Sequence, residues 1–455
     1  MPSMGLLPGT VRRSRGDLPQ LPLVNMYAET AITEPTQFAL QSRPGLVASG
    51  TSYGAGPVRA LFQADGVLSG VRVAISGSSL YVDGTSEGTV NGTGAPSIAG
   101  NQMGVVVTRG QDVNYFDGVD FRNVSFPDGA AVVKVIEQGG RFVFIRADTQ
   151  RYYWTQPLAN MLDGSGDIAI DGLDYASAES EPDKLVDGLV FENHLVLGGV
   201  NTIEFHGQTG DDNAPWAPTL GRVFNKGVRI TGCMALWDSA FAWVSPENIV
   251  YRYAGANGTR ISDDGIEELI AASSACAMDS FFLEGHEFLR VKLDDVHLLL
   301  DAATGSWCQW TTFGQTGFVG GPVLAGPVFG STIDGTLYNL TENDELGTTL
   351  ERTFRAGFPL DAGNVQLANL FLRTNPGQVN SLTVSMRYSR DGGQTWTSFS
   401  SVSMGDSGDY RTLPEWRALG LFDQPGGLFE FKFTGDGQFR VSGVTFNERT
   451  NGRSR

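Results

Sequence analysis

Cysteine is nearly missing from this sequence: Cys233, Cys276 and Cys308 are three residues in 455. An odd count with no Cys-x-x-Cys spacing excludes a paired disulfide framework and a zinc knuckle, so the three are expected as small buried hydrophobes. Histidine is as scarce. His194, His206, His286 and His297 are too few and too scattered to frame a metal cluster or a catalytic constellation. Basic charge is also short, with 32 Lys and Arg against 50 Asp and Glu and a net charge of −18. Gripping nucleic acid through its phosphates needs clustered Lys and Arg. A DNA-gripping surface is therefore excluded, whereas a wall past which a polyanion slides without sticking is compatible. No stretch approaches the roughly 18 uninterrupted apolar residues of a membrane span. The N-terminal MPSMGLLPGTVRRSRGDLPQ lacks the basic-then-apolar order of a signal peptide, so synthesis and folding in a reducing cytoplasm are expected.

Glycine, in contrast, is abundant: 59 residues, about 13% against roughly 7% in average proteins, with no every-third-residue period. Hydrophobic residues at 41% and aromatics at 10% exclude a disordered chain, so the glycines are read as turns between packed strands. At roughly 100–200 residues per domain, two or three domains are expected. Residues 1–50 carry Pro2, Pro8, Pro19, Pro22, Pro35 and Pro44, with Arg12, Arg13 and Arg15 between them. Proline cannot donate regularly to a sheet ladder, which predicts an extended N-terminal arm lying along its own domain or a neighbouring subunit. Over 51–345 a strand, polar turn, strand pattern recurs, as in VRVAISGSSLYVDG (71–84), MGVVVTRGQDVNYFDG (103–118), RFVFIRADTQRYYWTQP (141–157) and DSFFLEGHEFLRVKLDDVHLLLDAATGSWCQW (279–310). The starts fall about 30–50 residues apart, the spacing of a propeller blade. A lone hairpin is not stable in water, and radial stacking leaves only short edges. The fold class predicted is all-β: a β-propeller of about six or seven blades with a β-sandwich or β-solenoid as the rival.

One helix is expected in ISDDGIEELIAAS (261–273), capped by Asp264 with Glu267 reaching back, and Ile266, Leu269 and Ile270 on one face. Over 346–455 the strands lengthen. Leu382, Val384, Met386 and Tyr388 share a face, as do Phe429, Phe431 and Phe433, ahead of Phe439 and Val441, predicting a separate C-terminal β-sandwich domain. Within it SRDGGQTW (389–396) matches an Asp-box through Ser389, Asp391, Gly393, Thr395 and Trp396, a hairpin-folding device seen repeated in sialidases. A single copy outside the blade repeats does not make a glycosidase. The loop DGSGDIAID (163–171) alternates Asp163, Ser165 and Asp167, yet Ile168 stands where a calcium loop needs glycine. It is read as a solvated turn. Glycine-rich segments run strand to strand, not strand to helix as phosphate loops require. No catalytic, cofactor-binding or metal-ligating residue is assigned, no cofactor is expected, and the chain is read as not an enzyme.

An ordered set of segments carries a family likeness. YASAESEPDKLVDGLVFENHLVLGGVNTIEFHGQTG (175–210), with its Ser-Ala-Glu-Ser followed by Pro182-Asp183-Lys184, the strand ending at Gly198 and the Glu204…Thr209-Gly210 turn, resembles a block of the packaged-DNA stabilisation proteins. KGVRITGC (226–233), FAWVSPENIVYRYAG (241–255) and TRISDDGIEELI (259–270) follow in that family's order, and LPLVNMYAE (21–29) and SRPGL (42–46) are similar to its opening. These are the tail-nozzle subunits of short-tailed, podovirus-type bacteriophages. The resemblance implies a homohexamer in the virion tail that continues the portal-adaptor channel and retains packaged DNA until ejection. It implies as partners the adaptor (head-to-tail connector) ring, a tail needle or plug, tail fibres or spikes, and dsDNA in transient, non-specific passage. An acidic lumen is the corollary of the net charge. The alternative is a receptor-binding or glycan-degrading tail component on the same propeller fold.

Overall fold

The structure is a computed structural model and describes residues 4–6, 21–30, 38–178, 182–255, 258–294, 296–312, 317–341, 345–361, 363–377, 382–435 and 437–448. Between Val58 and Ser331 and beyond, alternating apolar residues build seven four-stranded antiparallel sheets. The first strands of these sheets are Val58–Phe62, Ser97–Asn101, Val132–Gln138, Leu185–Phe191, Met234–Trp237, Cys276–Leu283 and Gly320–Leu324. Each packs against the next, and Gly320–Leu324 packs back on Val58–Phe62. The chain therefore forms a closed β-propeller of seven blades, numbered here in chain order. Its apolar core lies in the seams between blades: Val106, Phe142 and Phe144 fill one between blades 2 and 3, and Phe205, Phe241 and Trp243 one between blades 4 and 5. Burying each such side chain contributes about 2 kcal/mol.

A two-residue turn joins the first and second strands of blades 3 to 6. Its central pairs, Gly139-Gly140, Glu192-Asn193, Asp238-Ser239 and Glu284-Gly285, all have positive φ at both positions. That backbone twist matches the twist of the flanking strands, so even non-glycine residues accept the left-handed region there. The helix spans Asp264–Ala272. Its cap is one residue earlier than the sequence predicts: Asp263 has the extended backbone of an N-cap and accepts from the Ile266 N–H at 2.8 Å. Asp264 turns outward to Arg260, and Glu267 accepts from the Ser262 hydroxyl instead of reaching back.

The C-terminal part is a β-sandwich of two five-stranded sheets. Phe429, Phe431 and Phe433 face its interior, with the Phe354 ring stacked 4.7 Å from that of Phe431. Each sheet also takes strands from the start of the chain. Gly5–Leu6 pairs with Arg352–Pro359, while the hairpin Met26–Thr30 and Phe38–Ser42 lies beside Arg440–Glu448. Immediately afterwards Gly45–Ser52 becomes the fourth strand of blade 7, pairing with Thr336–Thr341. The described residues of the expected extended arm are thus strands of the chain's own two domains. Pro22 and Pro44 fall outside these N-terminal strands, which leaves every residue of those strands able to donate to its ladder. Pro2, Pro8, Pro19, Pro35, Arg12, Arg13 and Arg15 lie outside the described residues. No helix among the described residues is long and apolar enough to cross a membrane.

Candidate functional site

A dense polar constellation sits where propeller and sandwich meet. Leu23, Val24 and Asn25 run between the outer strand of blade 6 and the sandwich. The Val24 N–H donates to the Thr353 carbonyl at 2.8 Å and the Asn25 N–H to the Gln309 carbonyl at 2.8 Å. Asn25, at φ 55°, aims its side chain inward. Its amide donates to the Thr311 hydroxyl and the Glu351 carbonyl, both at 2.8 Å, and its oxygen accepts from the Thr311 N–H. Arg43 completes the knot. Its guanidinium makes a fork to Glu345 at 2.9 and 2.8 Å, donates to Asn25 Oδ1 at 2.9 Å and to the Thr311 and Pro44 carbonyls, and lies over the Trp310 ring. The Arg43 and Glu345 side chains are both 0% exposed. Arg is suited to this, because its planar donors can satisfy five acceptors in fixed directions. The knot ties the N-terminal strap, residues 21–30 and 38–52, to both the propeller and the sandwich.

The block at 175–210 stitches blades in the same manner. Asp183 accepts from the Asn201 and Thr202 N–H groups at 2.7 and 2.8 Å. Asp187, fully buried in blade 4, takes Lys134 of blade 3 at 2.6 Å and the Gly232 and Met234 N–H groups of blade 5. His206 bonds Tyr152 across the seam between blades 3 and 4 at 2.9 Å. In blade 6, Asp279 binds Arg290 twice at 2.7 Å and Lys292 at 2.8 Å, while Arg290 reaches the Gly320 and Gly321 carbonyls of blade 7. Burial raises the Asp279 carboxyl, but Arg290 and Lys292 outweigh it and hold it at about 2. Glu179 and Ser180 of the motif lie outside the described residues.

The other residues singled out from the sequence are not brought together. The exception is Cys233 and Cys276, neighbours across the seam of blades 5 and 6, where the Cys233 thiol donates to the Cys276 carbonyl at 3.4 Å; these two and Cys308 are buried free thiols. Among the described residues no group of three or more His, Cys, Asp or Glu side chains could hold a metal ion. Asp163 accepts from Ser165 N–H and hydroxyl and from the Asp167 N–H, and Arg122 lies 3.4 Å from Asp167, so that loop closes on itself. In the Asp-box, Asp391 accepts from the Ser389 hydroxyl and from Thr395 N–H and hydroxyl, and the Ser389 hydroxyl accepts from the Gly393 N–H. Those bonds hold the Asp391 carboxyl well below its usual range. Trp396 lies against the guanidinium groups of Arg355 and Arg387, which both pair with Glu430. Asp391→Ala is expected to speed amide exchange at Thr395 about tenfold or more while leaving blade amides unchanged, as a local opening does; uniform acceleration across the chain would contradict a local role.

A pH-sensitive contact borders the knot. His286 Nδ1 is 3.1 Å from Asp301 and its ring meets Tyr27 of the N-terminal hairpin edge-on. The Asp301 carboxylate beside the ring, opposed by burial, raises the imidazole above its ordinary 6.5. The stabilisation is therefore complete below pH 6.5 and is lost as pH rises through the higher folded value. Thermal melts should show a midpoint that declines over that window, and His286→Gln should flatten the decline.

The knot residues Asn25 and Arg43 fall in the segments LPLVNMYAE and SRPGL. A family described as bacteriophage P22 Gp10, beta-propeller, matches residues 3–320, and the companion bacteriophage P22 Gp10, beta-sandwich, matches residues 351–447. The chain belongs to the phage P22 Gp10 family. Its Gp10-type propeller match includes the strap that structurally serves both domains, and its Gp10-type sandwich match includes the Asp-box hairpin. The tail hub protein gp10 of Salmonella phage P22 is 25% identical over 268 residues, which is 52% of this chain and 55% of that protein. The match thus spans about half the length of the curated relative. Among solved structures, the beta-propeller domain of Myceliophteria thermophila Cps50 (Swd1) is 12% identical with a TM-score of 0.41, covering 66% of this chain and 100% of that one. BamB from Moraxella catarrhalis is 10% identical with a TM-score of 0.38, covering 66% and 98%. Within the Gp10-family chain, sequence reasoning missed the roles of Arg43 and Glu345; the signal available was an arginine inside an otherwise apolar, glycine- and proline-flanked strand boundary.

Proposed function

We propose that this chain is the structural subunit of a phage tail hub, forming a homohexameric ring that continues the portal-adaptor channel, retains packaged DNA and conducts it at ejection. The observation that carries the reading is the paired family match over residues 3–320 and 351–447. Two physical features support it. A propeller with hydrogen-bonded seams is stiff, and the buried knot passes load from propeller to sandwich without a flexible linker. A ring satisfies head-to-tail contacts that would otherwise propagate into filaments. The units are the propeller, 51–345, closed by the strand Gly45–Ser52, and the sandwich, 346–455, joined by the earlier N-terminal strands. Its partners are the adaptor ring, a needle or plug, and fibres or spikes, in the virion tail. With a net charge of −18, a lumen rich in Asp and Glu lets DNA pass with little adhesion.

A phage whose copy of this gene is disrupted should fill heads and then lose the DNA to added nuclease, with retention restored by the purified protein. Full retention without the protein would contradict the reading. The glycan-degrading alternative is separated by incubating the protein with host polysaccharide, where release of reducing ends would favour that alternative.

A further inference from the structure

Between blades 6 and 7 lies a cavity of about 470 Å³, within the range of small-molecule sites. Leu293, Phe318 and Val319 supply apolar wall, and Lys292, His297 and Thr312 supply polar groups. His297 is only 7% exposed, yet its buried Nδ1 has no hydrogen-bond partner among the described residues. Its ring meets Phe318 edge-on at 5.5 Å. Leaving a buried polar group without a partner is costly, so such a group points to something that completes it.

The neighbouring groups define what would complete it. The Lys292 ammonium has three N–H donors and among the described residues pairs with Asp279, at 2.8 Å. The Thr312 hydroxyl oxygen accepts from the Val319 N–H at 3.0 Å, and its own O–H meets no described acceptor. The carboxylate on the rim, Asp294, is turned away, accepting from Ser273, Ser274 and Ala275. The side chains of Lys292, His297 and Thr312 on this wall thus keep donor capacity that no described partner uses. Charge points the same way, since Arg290 and Lys292 share the single carboxylate of Asp279. Burial, then Arg290 and Lys292, pushes His297 down to about 3, so the ring is neutral and offers one N–H at physiological pH.

We propose that this cavity seats a small oxyanion, a carboxylate or phosphate group, held by the Lys292 ammonium, the Thr312 hydroxyl and the His297 N–H. The site lies within one chain and is independent of the tail-hub reading.

The test uses the purified full chain and imidazole ¹H–¹⁵N spectra, with the His297 signal assigned through His297→Gln. Sodium phosphate and sodium acetate are titrated against sodium chloride at matched ionic strength. The expected result is a saturable shift confined to His297, together with a rise in thermal midpoint that chloride does not produce. Phosphate binding more tightly than acetate would assign a phosphoryl ligand, and the reverse a carboxylate. Lys292→Met should weaken binding about tenfold or more, as loss of a charged hydrogen-bond donor does, while Thr312→Ser should preserve it. Should Lys292→Met not fold, the midpoint rise in His297→Leu serves instead and should be absent. An unmoved His297 signal in both salts, the same shift in chloride, or full-strength binding by a folded Lys292→Met or His297→Leu would overturn the proposal.

Discussion

Arg43→Ala should lower the unfolding free energy by about 3–5 kcal/mol, the loss typical when one member of a buried ion pair is removed. The reason is the carboxylate left behind. Glu345 is fully buried, and after the substitution it keeps only the Leu46 N–H, at 2.9 Å, of the bonds described to its oxygens. Asn25 and the Thr311 carbonyl lose donors at the same time. The intact pair is not itself a large source of stability, because desolvation offsets most of its attraction. Replacing both partners by methionine should therefore recover part of the loss, although Asn25 stays short of its partner. Urea unfolding followed by tryptophan fluorescence measures both effects. A single-variant loss below about 1 kcal/mol, the value of an exposed pair, would show that the knot is open to water.

Removing residues 1–52 should abolish cooperative folding. The truncation takes away the closing strand of blade 7 and leaves Thr336–Thr341 as a bare edge. It also strips edge strands from both sandwich sheets and the buried side chains of Met26, Tyr27, Leu40 and Leu46. At about 2 kcal/mol each, these four contribute roughly 8 kcal/mol, comparable with the whole net stability of about 5–15 kcal/mol of a typical domain. Circular dichroism melts of any soluble truncated chain should show no sharp transition. A cooperative melt at the parent midpoint would contradict the strap's role in closing the propeller.

The local half of this architecture is legible in the sequence. Period-2 alternation in Phe429, Phe431 and Phe433, and the recurring hairpins of the blades, are short-range signals, and short-range signals decide strand and turn. The strap is not legible, because its partners are remote: Leu40 pairs with Val441 and Arg43 with Glu345. Nothing in residues 38–52 distinguishes a strand that closes a blade from one that lies on a neighbour. The turns at Glu192-Asn193 and Asp238-Ser239 lack the glycine by which such turns are usually recognised. Adjacent Asp263 and Asp264 can each cap a helix, and only the extended backbone at Asp263 decides between them. The segments containing Asn25 and Arg43 stand out in the sequence through family likeness, and in the structure they meet in the buried knot.

The central claim is that identical copies share an axial opening. Light scattering of the purified chain, with and without the proposed adaptor ring, followed by imaging of the particles, measures this directly. The account predicts a closed homohexamer around an open channel once the adaptor is present. A chain that stays monomeric beside the adaptor ring, with no particle of defined symmetry, would contradict it.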